Sequence, residues 1–202
     1  MSDHFDPHVV SDRWAAWRDR VDLDEYFTRW EKLAAEGHAT HGEADFVEAL
    51  APADVLDAGC GMGRLAIELS RRGIATVGAD LDPDLLAYAH RAAPHIPWHC
   101  ADLATMRLGQ QFAVVAMAGN VMIFCRADQR AAIVTTAAHH LRPGGLLVAG
   151  FSLEPGEGAL GLAEYDRHCS AAGLELVERW ATWERAPYSD GDYGVSVHRA
   201  IG

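Results

Sequence analysis

The sequence predicts an α/β fold built on a mostly parallel sheet with helices on both faces, and three observations carry that expectation. Apolar segments of strand length alternate with helical patterns from residue 55 onward. Several of those strand segments are apolar throughout, as strands covered on both sides require. A glycine-rich turn, Asp57-Ala58-Gly59-Cys60-Gly61-Met62-Gly63, joins the first strand of the series to its first helix, as at the opening of a doubly wound sheet. At 202 residues the chain suits one such core with a short appendage. The division expected is a helical segment over 1–45 and a core over 46–202.

Taken in order, Trp14, Trp17, Val21, Tyr26, Phe27 and Trp30 recur at three- and four-residue steps, so Ser11 to about Ala35 reads as helix, ended by Gly37. Glu43–Leu50 is a short helix, and Pro52 precedes the first strand, Val55–Ala58. The helix Arg64–Arg72 closes on Gly73. Ala75–Ala79 is the second strand. Asp82-Pro83 supplies an N-cap and a proline at the first helical position, so Asp84–Ala92 is helix. Trp98–Cys100 and Phe112–Met117 are the third and fourth strands. Asp128 is the expected cap of a helix to Leu141, which Pro143-Gly144-Gly145 terminates. Leu146–Phe151 is the fifth strand, and Gly158–Ala172 a helix ended by Gly173. Leu174–Thr182 and Tyr193–Ala200 complete seven strands as a long hairpin, which places one antiparallel strand near the sheet edge.

Composition excludes several classes. The net charge is −12, and the arginines are scattered, so no phosphate-binding surface for nucleic acid is expected. Lys32 is the single lysine, so chemistry that needs a lysine has no candidate after residue 32. Cys60, Cys100, Cys125 and Cys169 form no CxxC pair, which argues against zinc and redox motifs and for reduced thiols. His95, His99 and Cys100 lie among prolines that break any helical register, and His139-His140 point different ways on a helix, so no metal is expected. The start, Met1-Ser2-Asp3-His4, shows no signal-peptide pattern, and Phe112 to Cys125 is too short to span a bilayer. The expectation is a cytoplasmic protein without membrane association.

The glycine turn carries the chemistry. Alternate glycines expose amides to a ligand that a Cβ would block. Asp57 just before them repels a second negative charge, so the ligand expected is nucleotide-like and carries a cation rather than a diphosphate. Asp57 has a second possible role, capping amides of its own loop. Asp80 lies 21 residues after Gly59, where its two oxygens suit a ribose diol. Gly61-Met62-Gly63-Arg64-Leu65-Ala66 also fits the dinucleotide fingerprint, which keeps an NAD-binding oxidoreductase in view. Against that reading stand Asp57, the small size of the chain, and the want of a Tyr-x-x-x-Lys pair.

Val55–Gly63, Asp80, Ala101-Asp102-Leu103 and Leu141-Arg142-Pro143-Gly144-Gly145 together resemble the ordered motifs of class I S-adenosylmethionine-dependent methyltransferases, a Rossmann-like three-layer sandwich. The likeness covers roughly residues 41 to 200. It implies contacts from Asp57, Gly59, Cys60 and Gly61 to the methionine part of the cofactor, and from Asp80 to the ribose with Leu81 beside the adenine. It further implies Asp102 at the adenine amino group with Leu103 adjacent, and Ala118-Gly119-Asn120 at the border of sulfonium and substrate.

The reaction implied is methyl transfer to an N, O or S atom of a small-molecule acceptor, with a non-catalytic S-adenosylmethionine-binding protein as the alternative. Asn120 is the candidate on the substrate side, by a short similarity to small-molecule N-methyltransferases; bonding to the neighbouring loop is its other reading. The segment with Tyr26, Trp30, His38, His41 and Glu43 lies where that family commonly forms a lid. His41 and Tyr26 are the bases to examine for an oxygen acceptor. Packing of Trp14, Trp17, Phe27 and Trp30 onto the sheet, and a surface or capping place for His41, are the competing readings. Oligomeric state is not legible.

Overall fold

The computed structural model describes residues 10–36, 40–156 and 158–201. Gly37 and His38, the side chain of Trp30, and the first four residues lie outside the described set, so the expectations placed on them are not addressed. Among the described residues, seven strands form one sheet: β1 (Asp54–Ala58), β2 (Ala75–Asp80), β3 (Trp98–Cys100), β4 (Phe112–Met117), β5 (Leu141–Ser152), β6 (Leu174–Trp180) and β7 (Tyr193–Ala200). Their order is β3-β2-β1-β4-β5-β7-β6. The pairs from β3 to β5 are parallel, whereas β7 runs antiparallel to both β5 and β6. The predicted sheet, with its antiparallel strand one place in from the edge, is the observed one.

The helices are α1 (Asp12–Arg18), α2 (Leu23–Ala35), α3 (Gly42–Glu48), α4 (Arg64–Arg71), α5 (Pro83–Ala92), α6 (Val121–Phe124), α7 (Arg130–His139) and α8 (Leu162–Ala171). Alternation along the strands divides the core. Leu56, Val115 and Leu147 face Ile133, Val134 and Tyr165 of α7 and α8. Their neighbours Val55, Val114 and Val148 face Phe46 and Val47 of α3 and Leu65 and Leu69 of α4. α3 therefore spans the expected boundary at residue 45 while burying its apolar side on the sheet.

Several local expectations are corrected. The first helical stretch breaks after Arg18. Asp22 accepts the Glu25 amide at 2.9 Å and starts a second helix, an acid's side chain competing with helix continuation. Asp128 caps nothing on α7; it pairs with Arg126 in the short turn Ala127–Gln129. Pro143-Gly144-Gly145 does not terminate α7, which ends at His139, but lies within β5, where the pairing with β4 shifts register. At Gly145 a Cβ would stand 3.0 Å from the Arg142 carbonyl oxygen, so this irregularity admits glycine alone without rearrangement. α8 starts at Leu162 rather than Gly158, whose φ is +69°.

Candidate functional site

The site lies at the carboxyl ends of β1, β2 and β4, where strand order reverses. β1 delivers Asp57 opposite Gly78 of β2 and Ala116 of β4. Beyond it Gly59 and Cys60 both donate their amides to the Ala79 carbonyl, bending the chain sharply. Gly59 (φ +79°) tolerates no side chain, because a Cβ would stand 2.6 Å from Val121 Cγ2. Gly61 (φ +54°) faces nearly open space, so its backbone is bare toward the cleft. Gly63 and Gly78 serve a different purpose, making room for the indole of Trp98. The second glycine of the apparent dinucleotide fingerprint, Gly63, is thus a packing glycine.

Two carboxylates hold this loop. Asp80 accepts the Gly61 amide at 2.7 Å and the Asp82 amide at 2.9 Å. Asp57 accepts the Ala66 amide at 3.1 Å, and so caps α4 from the strand below, since the N-cap residue itself is Gly63. Burial pushes Asp57 up to about 7 and Asp80 up to about 6. Both acids are therefore held close to the point where charge is gained or lost at neutral pH.

Two cavities open on the loop, of ≈ 360 and ≈ 190 Å³. The larger is bordered by Asp57, Cys60, Arg64, His41 and Ala118. The smaller is bordered by Asp80, Leu81, Asp102 and Leu103 on the sheet side, and by Trp14 and Trp17 of α1. They share Tyr26, Gly59, Gly61 and Gly119. Of the candidate residues, all but Asn120 border one or both. Asp102 turns its own loop by accepting the Ala104 amide at 2.8 Å.

Asn120 lies outside both linings. It adopts φ +70° at the start of α6, and its Oδ1 accepts the Ser152 amide at 2.8 Å, tying the end of β4 to the end of β5. Tyr26 stands where the cavities meet, and burial raises its phenol above the ordinary value. A phenol so shifted keeps its proton at neutral pH, which favours a wall over a base. His41 occupies the N-cap position of α3 without making a side-chain cap bond, its Nε2 3.9 Å from Glu68 Oε2.

A sequence model of the methyltransferase domain matches residues 55–145. The dTDP-3-amino-3,4,6-trideoxy-alpha-D-glucopyranose N,N-dimethyltransferase of Streptomyces venezuelae is 32% identical over 126 residues, covering 61% of this chain and 52% of that one. The magnesium-protoporphyrin O-methyltransferase of Rhodobacter capsulatus is 31% identical over 128 residues, covering 59% and 56%. The match thus spans about half the length of these curated relatives. A solved TehB-like SAM-dependent methyltransferase from Corynebacterium glutamicum is 32% identical, with a TM-score of 0.80, over 89% of this chain and 97% of that one.

The chain belongs to the S-adenosylmethionine-dependent methyltransferases.

The residues of this chain fit the family's cofactor on their own evidence. A glycine loop whose backbone is bare toward the cleft at Gly61 adjoins two buried acids, and the ligand that suits them carries positive charge. Spacing did not find the groups that join α1 to the core beside the cavities. Arg18 pairs with Asp82 at 3.0 Å, Ser11 Oγ donates to the Phe124 carbonyl at 2.6 Å, and Trp17 packs on Phe124 with ring centroids 6.1 Å apart. Arg130, 1% exposed, donates to the carbonyls of Met122, Gly158 and Ala159. Nothing in the local pattern around these arginines distinguishes them from their solvated neighbours.

Proposed function

We propose that this protein transfers a methyl group from S-adenosylmethionine to an N, O or S atom of a small-molecule acceptor. The observation that carries the reading is the buried Asp80 carboxylate at the end of β2, bonded to the glycine loop and facing the smaller cavity. In this reading Asp80 holds the ribose, Leu81 and Leu103 flank the adenine, and Asp102 takes its amino group. Asp57, Gly59, Cys60, Gly61 and Ala118 surround the methionine part. Small molecules are the acceptors printed in the names of both curated relatives, an amino sugar and a porphyrin. The net charge of −12 supports a substrate other than nucleic acid. No helix among the described residues is long and apolar enough to cross a membrane. Four free thiols support a cytoplasmic location.

When bound, the cofactor supplies a sulfonium methyl already activated for displacement. The chain's part is alignment and exclusion of water. Residues 1–45 act as the lid: Trp14, Trp17 and Tyr26 cover the cleft from α1 and α2. Asn120 shapes the substrate side through its bond to Ser152. For an acceptor that arrives protonated, this reading has His41 take the proton, and the Glu68 carboxylate 3.9 Å from its Nε2 supports it.

Calorimetric titration with S-adenosylmethionine, followed by assay for S-adenosylhomocysteine with amino-sugar nucleotides, phenols and thiols, tests the reading. Cofactor binding with turnover on at least one acceptor class is expected. Binding of NAD with no response to S-adenosylmethionine would overturn it, and cofactor binding without turnover on any class would leave the non-catalytic alternative.

A further inference from the structure

Tyr193 opens β7 opposite Ser152, the last residue of β5. Its ring packs on the face of the sheet that α3 covers. Its Oη stands over Gly150, where a Cβ would lie 2.8 Å from that oxygen and 2.3 Å from Cζ2 of Trp183. Any side chain on β5 at this point would therefore displace both aromatics. The register of β4 on β5 pairs Met117 with Ala149, so Ala118 is the strand neighbour of Gly150. Ala118 borders the larger cavity, and the Gly150 carbonyl receives the Asn120 amide at 3.3 Å. The phenol oxygen is thus placed on the order of one strand spacing from the end of β4.

The contacts around the ring hold it in place and leave its proton unused. Trp183 Nε1 donates to Tyr193 Oη at 3.1 Å, and the same indole packs edge-on against Phe46 of α3 with ring centroids 5.4 Å apart. The charged groups whose fields reach the phenol are Glu43 and Arg64. These two are bound to each other, Arg64 Nη1 donating to Glu43 Oε2 at 3.0 Å and Nη2 to Oε1, so the acid is already engaged. Among the described residues no group accepts the phenol's proton. Burial pushes Tyr193 up to about 12, so at neutral pH it donates and does not act as a base. A hydroxyl that accepts one hydrogen bond also donates the next more strongly. We infer that Tyr193 is a specificity-determining residue for the methyl acceptor, donating its phenol proton to an oxygen that the acceptor carries within a few bonds of the atom to be methylated. This rests on the transfer reading above and deepens it by naming a feature of the acceptor. An acceptor without that oxygen would leave a half-buried donor unpaired, which costs binding.

The test measures S-adenosylhomocysteine formation by the wild-type protein, Tyr193→Phe and Trp183→Phe, alongside circular dichroism of each variant. The probes are paired: 2-aminoethanol with ethylamine, catechol with phenol, and 2-mercaptoethanol with ethanethiol. Within each pair the second compound lacks the neighbouring hydroxyl, and the ratio of the two kcat/KM values is compared between proteins, which cancels their intrinsic reactivity. Tyr193→Phe keeps the ring and is expected to lower that ratio by roughly 3- to 10-fold, the span of a neutral hydrogen bond. Its affinity for S-adenosylmethionine, read by calorimetry, is expected to be unchanged. Trp183→Phe keeps the phenol without its partner and is expected to lower the ratio by less, and it carries the test if Tyr193→Phe fails to fold. An unchanged ratio in the folded variants, or an equal loss on both members of a pair, overturns the inference while leaving the transfer reading intact. Turnover of no probe by the wild type would overturn the transfer reading and this inference with it.

Discussion

Arg18 and Asp82 meet at 3.0 Å, and the Asp82 carboxylate that receives the guanidinium also caps α5 through the amides of Asp84 and Leu85. One acid thus fastens α1, part of the proposed lid, to the helix that follows Asp80. Its side chain is 4% exposed and Arg18 is 25% exposed, so the pair is less screened than an ordinary surface contact. Arg18→Gln is expected to leave the cap intact and speed cofactor dissociation by about 5-fold, an effect on the off-rate rather than the on-rate. Stopped-flow release of the bound cofactor measures it, and an unchanged rate would show that α1 does not gate the cleft.

Asp80 has two tasks, holding the Gly61 amide and, in the proposed reading, the ribose. Asp80→Ala is expected to weaken cofactor binding by at least about 1.5–3 kcal/mol, the range for hydrogen bonds to a charged group. Titration of the folded variant checks this. Full affinity would place the ribose elsewhere.

The raised acids set opposite trends in pH. Asp57 is pushed up to about 7 and Asp80 up to about 6 by burial, so the folded state holds these protons more tightly than the unfolded chain does. Their contribution to stability is complete below the ordinary carboxylate value near 4 and is lost as pH rises through 6 to 7. Binding of a cation works the other way, since it favours ionised acids. Cofactor affinity is expected to strengthen between pH 5 and about 8, with protons released on binding near neutrality. Calorimetry in buffers of different ionisation heat counts those protons, and a flat affinity profile would contradict the assignment.

Arg130 bonds three backbone carbonyls on two segments, after β4 and after β5. Arg130→Met fills similar space and leaves those acceptors without their donor, so a loss of about 2–4 kcal/mol is expected in urea unfolding. A loss below 1 kcal/mol would mean the two segments hold without it.

Asn120 supplies two separable features, a left-handed backbone and a carbonyl for Ser152. Asn120→Gly keeps the first and Asn120→Ala neither, so alanine is expected to cost about 1 kcal/mol more stability than glycine. Turnover should fall in both if the tie to Ser152 shapes the acceptor side. Wild-type turnover in the glycine variant would remove Asn120 from the reaction.

The sheet was legible because its strands announce themselves twice, as apolar runs and as segments bounded by glycine, proline or capping acids. Gly59, Gly61 and Asp80 were legible because a sharp strand-to-helix turn leaves a dense local record. Where several local signals compete, the sequence misleads: Asp128 has the chemistry of a cap, yet Arg126 two residues away claims it. The Pro143-Gly144-Gly145 run likewise has the composition of a helix stop and serves a strand irregularity. The pairings of Arg18, Arg64 and Arg130 were not legible at all. Their partners lie 64, 21 and 28 positions away, and long-range pairing of charges leaves no periodic trace.

The placement of β7 has a consequence for how this chain is made. Strand β5 finds its antiparallel neighbour in Tyr193–Ala200, and β6, although made earlier, reaches the sheet only through that same segment. During synthesis the nascent chain must therefore carry an unsatisfied ladder along Leu146–Ser152, and a stranded β6, until residue 200 has emerged. Closure of the sheet comes last and couples distant parts of the polypeptide, a slow topology that gives chaperones a defined interval and a defined edge to guard.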